Sequence, residues 1–219
     1  MRREKRLRKC SLDRTMYNHY RELFKDKGFI IFRVRGMLYY NRTVKMEPQI
    51  TARVMETARQ AGMGVAGAKY RVKSRKSYFK KIGRKCNPRE KGYEVKDILR
   101  YTYTASGEEL VEKILKVIEM YSNSGYNTVE IKNYWLDGQN PYNGINTTVR
   151  SPEGLTFELQ YHTPESFEVK NGKMHELYER QRPIKDVSSR AYIELGDQMF
   201  ELSDSMEIPK GIEKVRSHE

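Results

Sequence analysis

Apolar positions repeat at helical spacing in some stretches and alternate with polar ones in others. Ile50, Val54 and Ala58 predict a helix over 49–61, ended by Gly62, Gly64 and Gly67. Leu110, Val111, Ile114, Leu115 and Ile118 form the stripe of a helix lying on a sheet. Ahead of it, Ser106-Gly-Glu-Glu109 has the spacing of a capping box with Ser106 as N-cap. Val187, Ala191, Leu195, Met199, Leu202 and Met206 predict a buried stripe on a helix over 187–206, preceded by a helix over 173–182. Strands are predicted over 68–73, 95–104 and 128–135, with a short helix over 75–82 and a polar, basic loop from Gly83 to Gly92. Residues 145–150 and 155–162 read as a hairpin around Ser151-Pro-Glu-Gly154, a type I turn with proline second and glycine fourth. That turn sets Glu158 opposite Thr147 and His162 opposite Asn143. A helix over 11–26 and a strand over 29–34 are expected in the first 45 residues. The mixed order of elements predicts an α+β fold, with residues 1–45 as a basic extension and 46–219 as the folded domain.

Composition narrows the chemistry. The chain has 219 residues, enough for one domain with a real core. Cys10 and Cys86 are its only cysteines, which excludes a disulfide scaffold and a four-cysteine zinc site and points to a reducing compartment. No apolar run approaches the roughly 20 residues that span a bilayer. The charged start at residues 1–9 has no apolar stretch behind it, so no secretory signal and no membrane partner are expected, and a cytoplasmic location, in the producing or a target cell, is. The net charge is +13, and it is uneven: residues 1–105 hold 29 basic and 9 acidic residues, while 106–219 hold 13 and 20. So basic a first half attracts polyanions such as nucleotides or RNA, unless it is simply a solvated face.

Three groups of residues carry candidate chemistry. Arg71 and Lys73 sit two apart on a predicted strand, and Ser77, Lys80 and Lys81 share a face of the helix that follows. Arginine forks, lysine point charges and a helix N-terminus suit a polyphosphate; a solvated basic face is the alternative. Glu158, Gln160 and His162 alternate onto one face of a strand, with Tyr142 beside its end. Asp97 opens an apolar strand, a common position for an acid; with Glu158 it would suit Mg²⁺, which takes one or two carboxylates, provided that the fold brings the two together. The four histidines form no HxH or HxxxH pair, and neither GxxxxGK[ST] nor GxGxxG occurs.

In this order the clusters resemble the synthetase domain of the RelA/SpoT family, the alarmone synthetases. The pattern R-x-K-x-x-x-S-x-x-x-K stands as Arg71, Lys73, Ser77 and Lys81. The Asp before the next strand is Asp97, and a K-D/N-Y segment is Lys132-Asn133-Tyr134. A G-Y-x-S-I-H segment is matched by Tyr142 to Asn146, and E-x-Q-x-R-T by Glu158, Gln160 and Thr163. The likeness spans about residues 67–165. This chain lacks the Gly and Arg expected after Asp97, with Arg100 and Thr102 nearby. It has Pro141 before Tyr142, Asn146 for a His, and His162 for an Arg or Lys.

The resemblance implies a nucleotidyltransferase-like mixed sheet of about five strands flanked by helices. It implies an ATP-dependent pyrophosphokinase that moves the β,γ-diphosphate of ATP to the ribose 3′-hydroxyl of a purine nucleotide. Arg71, Lys73, Ser77, Lys80 and Lys81 would bind ATP, and Asp97 and Glu158 would hold Mg²⁺. Glu158 and Gln160 would serve the attack, while Lys132, Tyr142, Asn146 and His162 would bind the acceptor. Without a hydrolase domain the chain resembles the divergent toxin branch, with a neutralising immunity protein as an expected partner. The alternatives are transfer to the 3′ end of tRNA and a non-catalytic RNA-binding module whose 16 tyrosines stack on bases.

Overall fold

The computed structural model describes residues 27–84 and 92–218. They fall into two compact units, residues 27–42 with 75–84 and 92–95, and residues 43–74 with 96–218. The helix expected over 11–26 lies outside the described residues.

The smaller unit is built on α1 (Lys27–Lys45) and α3 (Arg75–Arg84). The strand expected over 29–34 is part of α1. Phe29-Ile30-Ile31-Phe32 is a continuous apolar run, which period alone does not assign, and only Phe29 and Phe32, three apart, are buried. Tyr78 on α3 is fully buried, its hydroxyl 2.9 Å from the Gly36 carbonyl and 2.8 Å from that of Tyr93.

The larger unit is a five-stranded mixed sheet with helices, as the resemblance implies. Its elements are α2 (Glu47–Ala61), β1 (Gly64–Ala66), β2 (Arg100–Thr104), α4 (Leu110–Ser122), β3 (Asn127–Asn133), β4 (Ile145–Arg150) and β5 (Thr156–His162). Three helices follow: α5 (Pro164–Asn171), α6 (Lys173–Gln181) and α7 (Arg190–Asp204). The strand order is β1-β2-β5-β4-β3, with β2 parallel to β5 and the other pairs antiparallel.

Alternation gives the sheet two unlike faces. Tyr101, Tyr103, Ile131, Ile145, Val149, Phe157, Leu159 and Tyr161 share one core with Ile50, Val54 and Ala58 of α2 and Leu110, Ile114 and Val117 of α4. Among the described residues six tyrosines, including Tyr101, Tyr103, Tyr121 and Tyr161, are buried, so these serve packing rather than base stacking. α6 and α7 pack on each other through Met174, Leu177, Leu195 and Met199.

Several boundaries differ from the sequence reading. No strand forms over 68–73: that span opens with a 3₁₀ turn at Ala68–Tyr70 and contributes only the bridge from Val72 to Leu99, while the strand β1 lies ahead of it at Gly64–Ala66. The expected strand 95–104 begins at Arg100, which leaves Asp97 in the turn before it. Ser106 does not cap α4: the helix starts at Leu110, and the Ser106 hydroxyl donates to the Glu109 carboxylate at 2.9 Å. β3 ends at Asn133, whose side chain accepts from Trp135 N and starts a 3₁₀ turn. α7 starts after Ser189, its N-cap, so Val187 and Ala191 are exposed rather than buried.

The hairpin register is shifted by one residue: Glu158 pairs with Thr148, not Thr147. The Ser151–Gly154 turn forms, but Gly154 has φ +81° and Ser151 N bonds Leu155 O at 2.7 Å. Glycine in this left-handed conformation adds a bulge residue to the type I turn. Among the described residues, no helix is long and apolar enough to cross a membrane.

Candidate active site

The second face of the sheet is polar. Paired residues point to the same side of a sheet, so the register brings four strands' side chains together. Arg100 and Thr102 of β2 stand beside Glu158 and Gln160 of β5, which stand beside Thr148 and Asn146 of β4. Those in turn stand beside Glu130 and Lys132 of β3. The corrected register puts Asn146 next to Gln160; the expected one would have turned it to the apolar face.

α5 covers this face at the end of β5. Thr163 and Ser166 form a reciprocal capping box, and Pro164 fits the first turn. The chain therefore turns back directly after His162, and Lys170 reaches the sheet, its ammonium donating to Gln160 Oε1 at 2.5 Å. Gln160 Nε2 donates to the Glu158 carboxylate. Burial raises the Glu158 carboxyl above its usual range, opposed by Arg100 and reinforced by the negative charge of Asp97. The two predicted acids thus lie within electrostatic reach of each other. Lys170 is pushed down to about 8, first by burial and then by repulsion from Arg100.

His162 is fully buried. Burial, aided by Lys170, lowers it to about 3, so it is neutral. Its Nε2 is 2.9 Å from the Tyr142 hydroxyl and its Nδ1 is 3.0 Å from Ser166 Oγ. The Tyr142 hydroxyl donates to Asn146 Oδ1 at 2.7 Å. Its oxygen therefore accepts from His162 Nε2–H, which leaves Nδ1 to accept from Ser166. Three residues expected around the acceptor, Tyr142, Asn146 and His162, are one hydrogen-bonded unit, with Tyr134 edge-on to the Tyr142 ring at 5.1 Å.

Lys132 is paired with Glu130 at 3.0 Å. Burial would raise the Glu130 carboxyl, but hydrogen bonds from Thr148, Lys96 and Lys132 hold it down at about 2. Asn133, the next residue along β3, faces the other way. Its amide donates to the carbonyls of Ile212 (2.9 Å) and Val215 (2.8 Å), tying the C-terminal segment to the sheet edge.

Arg71 and Lys73 do not share a strand face. Arg71 has helical backbone angles at the end of the 3₁₀ turn and pairs with Glu47 at 2.5 Å, whereas Lys73 pairs with Asp97 at 3.1 Å. Ser77, Lys80 and Lys81 lie on α3, at the helical spacing expected, in the smaller unit. Lys170, Arg100 and Glu130 were not among the predicted site residues. Arg100 and Glu130 were findable by alternation from Glu158 once strand order was known; Lys170 had no sequence signal.

No protein-family model matches the chain, nor does any curated protein sequence. Solved structures do match it. The type VI effector Tas1, crystallised in complex with its immunity protein, is 21% identical over 77% of this chain and 94% of its own, with a TM-score of 0.54. The small alarmone synthetase 1 of Bacillus subtilis is 19% identical over 78% and 88%, with a TM-score of 0.54. The small alarmone synthetase 2 of the same organism is 17% identical over 78% and 90%, with a TM-score of 0.53. Identities this low speak for architecture alone, and by architecture the chain has the fold of the alarmone synthetases.

Proposed function

We propose that this protein is a pyrophosphokinase that moves the β,γ-diphosphate of ATP to the ribose 3′-hydroxyl of a purine nucleotide, and that it acts as a growth-inhibiting toxin. The observation that carries this reading is a polar sheet face that holds Glu158, with Asp97 in the turn before β2 near enough to act on its charge and cations bordering both, in the fold of the alarmone synthetases.

In this reading the 3′-oxygen attacks the β-phosphorus of ATP. The bond from that phosphorus to the α–β bridging oxygen breaks, AMP leaves, and Glu158, directly or through water, takes the hydroxyl proton. A carboxyl raised by burial is a better base than a solvated one. Gln160 holds Glu158 in place through its amide. Arg71 and Lys73 meet the ATP phosphates by exchanging their present carboxylate partners for phosphate oxygens. Ser77, Lys80 and Lys81 are assigned to ATP by resemblance. Tyr142, fixed by its hydroxyl, offers its ring to the acceptor base, and Lys132, Asn146 and His162 orient the acceptor. Such transfers depend mainly on positioning and charge neutralisation.

The residues present fit magnesium, which takes one or two carboxylates and completes its shell with water and phosphate. Asp97 and Glu158 would hold it, and it would neutralise charge developing on the phosphates. A neutralising protein partner, as Tas1 has, follows from the toxin reading.

The test is incubation with Mg²⁺ and γ-labelled ATP, with GDP, GTP, ADP, ATP or bulk tRNA as acceptor. Label entering one nucleotide with AMP released supports the proposal and names the acceptor. Label entering tRNA instead would move the acceptor to RNA, and no transfer by folded protein would refute the reading.

A further inference from the structure

Two cations of the polar face have no part in the reaction as described. Arg100 stands opposite Glu158 across the β2–β5 pair, and its exposed guanidinium makes no hydrogen bond or ion pair among the described residues. Lys170 comes from α5, contacts Gln160, and lies 5.7 Å from the centre of the Tyr142 ring. The two cations flank one side-chain pair: Arg100 is the cross-strand neighbour of Glu158, Gln160 donates to Glu158, and Lys170 donates to Gln160. Like charges converging on a half-buried surface are costly unless an anion joins them. Glu158 supplies one negative charge between them, while Asp97 is already engaged by Lys73. The face is therefore left net positive beside Glu158, where a phosphate would be welcome.

The sequence departures fall at the same place. The arginine of the family pattern after Asp97 is missing, and Arg100 supplies a guanidinium from the same strand and face as Thr102. The Arg or Lys of the pattern before Thr163 is His162, which is buried and neutral, and Lys170 supplies an ammonium 3.5 Å from its Nε2. Both lost cations return to one face from other positions.

We infer that Arg100 and Lys170 form an oxyanion clamp that grips a diphosphate group of the bound nucleotide beside Glu158. The inference rests on the nucleotide-binding reading and deepens it. The probe is inorganic pyrophosphate, titrated by calorimetry into the full chain and into Arg100→Gln, Lys170→Met and Lys170→Arg, with melting curves for each. Arg100→Gln and Lys170→Met are expected to weaken binding about tenfold or more, and Lys170→Arg by no more than about threefold, as charge-assisted contacts predict. Arg100 is exposed, so its variant is expected to fold. Failure of the wild type to bind pyrophosphate, or wild-type binding by folded Arg100→Gln, overturns the clamp. Pyrophosphate binding with no transfer activity would keep the clamp and refute the transferase. Transfer with unchanged kcat and KM in both charge-removing variants would refute the clamp and keep the transferase.

Discussion

Gly144→Ala probes how tightly the Tyr142–His162 unit is packed. Gly144 continues β4 by one residue, opposite His162, so a methyl group there points at the histidine ring. It would sit 2.5 Å from His162 Cε1, 2.9 Å from Nε2 and 3.0 Å from the Tyr142 hydroxyl. The ring cannot easily retreat: it is fully buried, with Ser166 on one nitrogen and Tyr142 on the other. Overpacking of this kind costs about 1–3 kcal/mol, and losing the His162–Tyr142 hydrogen bond adds about 1 kcal/mol. The total, roughly 2–4 kcal/mol, corresponds to a fall in melting temperature of about 4–16 °C for a chain of this size. The assay is thermal unfolding followed by circular dichroism, in a double-mutant cycle with His162→Ala. Removing the ring makes room for the methyl group, so Gly144→Ala should cost less than about 0.5 kcal/mol in that background. A single variant that melts with the wild type, or a cost that persists without the ring, would refute the packing argument.

On the proposed role of Asp97 in holding Mg²⁺, Asp97→Asn should lower turnover by orders of magnitude while leaving the melting temperature within a few degrees; near-normal turnover of the purified variant would remove Asp97 from the site. Asn133→Ala strips two hydrogen bonds from the C-terminal segment and should cost roughly 2–4 kcal/mol, with faster amide exchange at Ile131 and His218, whose backbones pair. His162 is depressed to about 3 in the folded state, against about 6.5 unfolded. The unfolded chain therefore binds the proton first: stability is full above about pH 6.5 and falls by about 1.4 kcal/mol per unit as pH drops toward 3, a slope that urea titrations should find and His162→Gln should flatten.

Legibility in the sequence followed the range of the interaction. The stripe of α2, that of α4 apart from the exposed Leu115, and the alternation of β5 were readable because periodicity is local, and five short motifs in order pointed to the right fold although none is distinctive alone. The errors sit where a tertiary contact overrode a local signal. Phe29 to Phe32 joined a helix because packing, not the apolar run itself, selects the period. The hairpin slipped by one residue because the turn was read without the bulge that Gly154 adds. That slip matters more than its size suggests: it decides whether Asn146 faces the core or stands beside Gln160 on the polar face.

Lys170 shows the limit from the other direction. Nothing around it in sequence marks a functional lysine; Glu168, Val169 and Asn171 look like any amphipathic stretch. It reaches Gln160 only because Thr163 and Ser166 cap α5 and reverse the chain immediately after His162. The cap is thus part of the site, and it was legible as Thr-Pro-Glu-Ser without its consequence being so. The same geometry explains how a position that carries Arg or Lys in the family pattern can hold a buried, neutral histidine here. The histidine seats Tyr142, and the charge arrives from two helical turns away. Thr163→Ala separates these roles. Losing the cap should cost about 1 kcal/mol, and, because the cap aims Lys170, it should weaken pyrophosphate binding without altering any charged residue. If binding survives a Thr163→Ala change that measurably destabilises the fold, then Lys170 reaches the sheet without help from the cap, and the coupling between turn and site is wrong.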